Sequence, residues 1–148
     1  MRIVIGADQG GFELKQKVVE YLIDLEYQVI DLGIHELKSV DYPDIAESVA
    51  RAVANGEAER GIIICATGIG VSMTANKVHG IRAALCTDCY MARMAREHNN
   101  AQILCLGGRV IGAGLALDIV NAFLSAKAQG GRHARRVDKI SALDEKEE

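Results

Sequence analysis

Cys65 closes an apolar run and leads straight into a hydroxyl and two glycines, in the stretch Gly61-Ile-Ile-Ile-Cys65-Ala66-Thr67-Gly68-Ile69-Gly70-Val71-Ser72. A thiolate in such a place can take a proton from a carbon beside a carbonyl, with backbone amides holding the oxyanion that results. Gly68 and Gly70 let those amides approach a ligand closely. A helix opening near Val71 adds free N–H groups and a positive dipole end, which attract an anion and favour the thiolate over the thiol. The competing reading of Cys65 is a small core hydrophobe, a common role for cysteine. The glycine spacing lacks the lysine of a nucleotide-phosphate loop, and Gly6-x-x-x-Gly10-Gly11 is not a dinucleotide fingerprint.

Other polar groups also follow apolar runs. Asp8, within Gly6-Ala7-Asp8-Gln9-Gly10-Gly11, is either a helix cap or a carboxylate for a ligand, whereas Asp88 reads as a cap. Arg109 follows Gly107-Gly108. Arg132 and Arg136 are spaced to share a helix face, with Arg135 and His133 close by. That cluster is either a solvated basic face or a grip for phosphate. His98, followed by Asn99, ends a helical pattern, where an imidazolium complements the helix dipole. Cys86-x-x-Cys89 raises redox or zinc chemistry, but a metal site needs about four ligands and no second pair has suitable spacing. Structural thiols and no bound metal are the expectation.

These residues need elements that bring them together. Apolar strand patterns fall at 2–7, 27–32, 61–66, 82–86 and 102–106, alternating with helical patterns at 12–25, 43–54, 71–78, 90–98 and 112–127. Pro43 suits the first turn of its helix, and Asn55-Gly56 ends it. This alternation is the signature of βαβ units. It predicts an α/β protein, a Rossmann-like, flavodoxin-like three-layer sandwich with a five-stranded parallel sheet. After Gln129-Gly130-Gly131 comes a helical tail, in which Val137, Ile140 and Leu143 form a narrow apolar stripe expected to dock on a partner subunit. Ligands of open parallel sheets bind beyond the carboxyl ends of the strands, where Asp8, Cys65 and Arg109 fall.

A chain of 148 residues fits one domain spanning 1–148, with 130–148 as its tail. A net charge of -3 argues against nucleic acid as the main partner. No apolar run reaches the ~18 residues of a bilayer span, and Met1-Arg2-Ile-Val-Ile is unlike a signal peptide. Scattered cysteines suit reduced thiols. The expectation is a cytoplasmic protein without a membrane partner.

Several motifs in order resemble the B type of ribose-5-phosphate isomerase, within the wider family that includes galactose-6-phosphate isomerase subunits. They are Gly6-Ala-Asp8-Gln-Gly-Gly-Phe-Glu-Leu-Lys15, Asp41-Tyr42-Pro43, Ile64-Cys65-Ala66-Thr67-Gly68-Ile69-Gly70, Ala75-Asn76-Lys77, Gly80-Ile81-Arg82-Ala83, Arg96-Glu97-His98-Asn99 and Gly130-Gly131-Arg132-His133. The resemblance implies interconversion of D-ribose 5-phosphate and D-ribulose 5-phosphate through an enediolate, without metal or organic cofactor. It implies that Cys65 is the base, that amides of Ala66, Thr67, Gly68, Ile69 and Gly70 cradle the oxyanion with help from the Thr67 hydroxyl, and that His98 donates a proton and assists ring opening. Asn99 and Asp8 then contact the sugar, while Arg109, Arg132 and Arg136 hold the phosphate; Arg135 receives no role. It also implies a homo-oligomer, a dimer or a tetramer, whose sites lie between subunits, with His98 and Arg109 reaching across.

Two residues depart from the family pattern. Gln9 replaces a histidine near the sugar phosphate, keeping a donor but no cationic form, and Ala66 replaces a glycine, adding a methyl beside the sugar cleft. Three alternatives stand beside the pentose reading: an isomerase of a six-carbon sugar phosphate such as allose 6-phosphate or galactose 6-phosphate, a non-catalytic sugar-phosphate-binding subunit, and a thiol-disulfide redox protein using Cys86 and Cys89.

Overall fold

The structure is a computed structural model that describes residues 1–146; the last two positions expected in the tail, 147 and 148, lie outside the described residues. Its elements are β1 (Arg2–Ala7), α1 (Phe12–Asp24), β2 (Gln28–Asp31), α2 (Tyr42–Ala54), β3 (Arg60–Cys65), α3 (Ile69–Ala75), β4 (Ala83–Leu85), α4 (Cys89–Glu97), β5 (Ile103–Gly107), α5 (Ala113–Ser125) and α6 (Arg132–Lys146). The strands form one sheet in the order β2-β1-β3-β5-β4, and every neighbouring pair is parallel. Compared with the flavodoxin order 2-1-3-4-5, the last two strands have exchanged places. β2 and β4 are shorter than their sequence patterns, because each is an edge with one neighbour to extend its ladder.

Successive strand residues point to opposite faces, and both faces are covered. Ile62, Ile64, Leu104 and Leu106 pack with residues of α1, α4 and α5 on one side. Val4, Ile63, Cys65, Ile103 and Cys105 pack with α2 and α3 on the other. Near-continuous apolar runs such as Ile62-Ile63-Ile64 are what two-sided burial demands.

α3 and the tail also differ from expectation. α3 begins at Ile69, earlier than the predicted Val71, because Gly68 caps it in a left-handed conformation at φ 83°. A Cβ there would meet Leu85 Cδ1 at 2.5 Å and the Leu106 backbone at 2.9 Å. The second difference is the tail. α6 lies against its own chain: Val137 is buried, the Gly80 amide donates to Asp144 Oδ2 at 2.7 Å, and Arg82 Nη1 reaches Ser141 Oγ at 3.4 Å. Only Ile140 and Leu143 of the stripe stay substantially exposed, at 46% and 54%.

One ion pair fastens α1 to β2. Lys15 is fully buried, and its Nζ donates to Asp31 Oδ2 at 2.6 Å, while Asp31 Oδ1 accepts the Gly33 amide at 2.8 Å. Removing one member of a buried pair strands the other. Lys15→Met is therefore expected to lower the unfolding free energy by about 2 to 3 kcal/mol, less than a fully enclosed pair because Asp31 retains contact with water. Urea unfolding at a fixed protein concentration measures this, and a loss below about 0.5 kcal/mol contradicts it.

Candidate active site

In this topology the chain goes from β1 to β2 on one side and then crosses back over β1 to β3 on its other side, so a crevice opens beyond the carboxyl ends of β1 and β3. The register sets Ala7 beside Ile64, which places Asp8 and Cys65 next to each other at that crevice. Both are nearly buried, at 7% and 6% exposure. The Asp8 carboxylate accepts the Gly10 amide at 2.9 Å, a local turn that leaves its second oxygen for another donor. The Gly68 amide donates to Cys65 Sγ at 3.1 Å. An N–H donor thus sits on the sulfur where negative charge would develop.

The loop after Cys65 is held to the loop after β5 through backbone bonds. Gly108 N donates to Cys65 O at 2.8 Å and Arg109 N to Ala66 O at 3.0 Å. A Cβ at Gly10 would fall 2.7 Å from Ala66 N and 2.9 Å from Ala66 Cβ, so the Ala66 methyl faces the first loop. Of the five amides expected to cradle an oxyanion, two serve the loop itself: Gly68 N points to Cys65, and Ile69 N donates to Thr67 Oγ1 at 3.2 Å. Gly70 N lies in the first turn of α3, where N–H groups have no preceding carbonyl.

Gln9 stands between two clefts. One, about 350 Å³, is lined by Gly10, Glu13, Leu37 and Arg109; the other, about 480 Å³, by Asp8, Ser39, Asp41 and Tyr42. Its Oε1 accepts the Val40 amide at 3.0 Å, so the side chain holds the 39–41 segment beside the crevice. Arg109 is exposed, and its backbone, bonded to Ala66, belongs to the same end of the same chain as Cys65, which departs from the expectation that it reaches across from a neighbouring subunit.

His98 lies elsewhere. α4 runs back from the end of β4 and delivers His98 beside the start of β5, at the amino end of the sheet. A strand the length of β3, about 20 Å, separates it from its own Cys65. Asn99 is exposed there. The amino end of α6 joins the same cluster: the His133 ring stacks on His98 with centroids 4.0 Å apart and planes 5° from parallel, which brings Arg132 and Arg136 alongside. Partial burial, then His98, Arg132 and Arg136, hold the His133 imidazole below its ordinary range.

The family described as ribose/galactose isomerase matches residues 3–140. Ribose-5-phosphate isomerase B of Escherichia coli is 45% identical over 98% of this chain and 97% of its own length. A solved structure of ribose-5-phosphate isomerase B from Clostridium thermocellum is 57% identical, superposes with a TM-score of 0.99 and covers both chains completely. D-erythrulose-4-phosphate isomerase of Pectobacterium atrosepticum is 43% identical over 99% of this chain and 97% of its own. The chain belongs to the ribose/galactose isomerase family.

This ribose/galactose isomerase family member carries its expected site residues in two groups at opposite ends of one sheet. Asp8, Gln9, Cys65–Gly70 and Arg109 form the first; His98, Asn99, Arg132 and Arg136 form the second. Two neighbours were not assigned roles from the sequence. The His133 stack joins residues far apart in the chain, which no local pattern reveals. Tyr42 lines the cleft with Asp8, and its ring lies so close to Gly70 that a Cβ there would fall 2.5 Å from the ring Cζ. The Asp-Tyr-Pro motif was its only signal. Asp88 is the cap expected, accepting the Met91 amide at 2.7 Å.

The remaining thiols are set apart by their surroundings. Burial, with Asp88 adding, pushes Cys86 up to about 12, and full burial pushes Cys105 up as well. Among the described residues no His, Cys, Asp and Glu side chains group to hold a metal. At pH 8 a thiol at about 12 is ionised to only about one part in ten thousand. Iodoacetamide at that pH is expected to modify half-buried Cys89 at least about tenfold faster than Cys86 or Cys105 in the native protein, read by peptide mass. Equal labelling of Cys86 and Cys89 contradicts the assignment.

Proposed function

We propose that this chain interconverts D-ribose 5-phosphate and D-ribulose 5-phosphate in a homo-oligomer whose sites each take one group of residues from either of two subunits. The carrying observation is the split itself: Cys65 with its amide donor at one end, and His98 with two arginines about a strand length away at the other. An isologous pair of chains that lays one end on the other completes two sites at once. Exposed Ile69, Met73, Tyr90, Met91, Val110 and Leu115 follow the carboxyl ends of β3, β4 and β5 and supply apolar area beside the crevice for such a contact.

In the mechanism, His98 of one subunit opens the furanose ring by passing the proton of the anomeric hydroxyl to the ring oxygen as the bond from C1 to that oxygen breaks, which leaves an aldehyde at C1. The Cys65 thiolate of the other then removes the C2 proton, and the electron pair moves toward the carbonyl to give an enediolate. The Thr67 hydroxyl and free amides of the 66–70 loop hold the oxyanion while the proton on O2 passes to O1, and the thiol returns its proton to C1, leaving the carbonyl at C2. Asp8 and Asn99 hold sugar hydroxyls. Arg109, with Arg132 and Arg136 from the neighbouring chain, holds the phosphate. The chemistry asks for neither metal nor organic cofactor. The whole chain acts as one isomerase domain. Free thiols throughout suit a reducing cytoplasm, and no helix among the described residues is long and apolar enough to cross a membrane.

A second reading concerns substrate length. One relative of 43% identity is named for a four-carbon sugar phosphate, and Gln9 holds the cleft wall at 39–41. Comparing kcat/KM for ribose 5-phosphate with four- and six-carbon sugar phosphates tests the assignment; the pentose is expected to lead, and a lead by another length overturns it. Cys65→Ala is expected to lower solvent-deuterium entry at C2 by at least about a thousandfold while retaining phosphate binding. Deuterium entry at the normal rate removes Cys65 as the base.

A further inference from the structure

The turn that carries His98 and Asn99 is held by a guanidinium that has no part in the mechanism above. Arg82 Nε donates to the carbonyls of Asn99 and Asn100 at 3.2 and 3.1 Å, and its Nη2 donates to Asn100 at 2.9 Å. From the other side, buried Arg96 donates through Nη1 to Ala101 O at 2.7 Å and Asn100 Oδ1 at 2.9 Å. Asn100 itself sits at φ 46°, a left-handed conformation that asparagine tolerates but that needs support. Three successive carbonyls are thus claimed from within the chain, leaving His98 and Asn99 to face outward.

Arg82 does a second thing that Arg96 does not. Its Nη1 reaches Ser141 of α6, and two residues away the Gly80 amide donates to Asp144 of the same helix. The opposite end of α6 carries Arg132, Arg136 and the His133 ring stacked on His98. One side chain therefore ties the His98 turn to the helix that bears the phosphate arginines. A shared site needs those two pieces fixed relative to each other, since a displacement of about 1 Å can cost about a hundredfold in rate.

We propose that Arg82 is a positioning residue for the half-site that each subunit lends to its neighbour. It touches no substrate; it sets the geometry of His98, Asn99 and α6 for the partner's Cys65. The inference rests on the shared-site reading above, and the experiment separates the two.

Arg82→Gln in the full-length oligomer is expected to lower kcat/KM by about 10- to 100-fold, with Arg82→Lys recovering part of the loss. Hybrids are then made by co-expressing two differently tagged chains. A hybrid of Cys65→Ala with Arg82→Gln keeps one site built from an intact Cys65 and an intact lent half, so about half of wild-type activity is expected. A generally disrupted Arg82→Gln chain has no working Cys65 half and restores nothing. The companion hybrid, Cys65→Ala with His98→Gln, reports on the shared site alone. If the companion is active and the Arg82 hybrid is not, the positioning role is overturned. Near-wild-type kcat/KM in the Arg82→Gln oligomer also overturns it. An inactive companion overturns the shared site and this inference with it. Should Arg82→Gln fail to assemble, Arg82→Lys replaces it in both measurements, and wild-type kcat/KM in that variant overturns the proposal.

Discussion

Chain direction in a parallel sheet governs everything else in this molecule. Every strand finishes at one end of the sheet and every crossover helix finishes at the opposite end, so a residue that closes a strand and one that closes a helix stand about a strand length apart. Cys65 closes β3, and His98 follows the end of α4. No rotamer or loop adjustment bridges about 20 Å. A mechanism that uses both groups must draw them from two copies of the chain, and two-fold pairing is the simplest way to do so for both copies.

Rigidity at each end follows from hydrogen bonds in which backbone groups take the larger part. At the carboxyl end the loops after β1, β3 and β5 are packed backbone to backbone, with Gly108 N on Cys65 O at 2.8 Å and Arg109 N on Ala66 O at 3.0 Å. At the amino end the turn after α4 is held through its carbonyls by Arg82 and Arg96. Burial, then Arg60 and Arg82, lower Arg96 to about 10, so it stays cationic at neutral pH and keeps its grip on those carbonyls. At the carboxyl end the side chains of Asp8, Gln9, Cys65 and Thr67 also accept backbone amides, whereas at the amino end the side chains of His98 and Asn99 take no part in this support.

Much of this was legible in the sequence, and the limits have physical causes. The three central strands and the Cys65 turn are readable because a doubly buried apolar run stops abruptly at glycines and a hydroxyl. The start of α3 is not, since the left-handed Gly68 is imposed by Leu85 and Leu106 from other strands. The tail helix was readable, yet its narrow stripe says only that something covers it; Val137 is covered by its own chain. Gln9 looked like a residue for the sugar phosphate, and its bond to Val40 depends on a loop whose path the local pattern does not specify. Which residues share an end of the sheet follows from topology, and the His98–His133 stack follows only from packing.

Whether one site is built from two chains is read from a crystal structure of the protein soaked with ribose 5-phosphate. The expected result is a sugar with C2 beside Cys65 of one subunit and His98, Arg132 and Arg136 of another subunit around its ring and phosphate. A bound sugar contacted by Cys65 and enclosed entirely by residues of that same chain would contradict it.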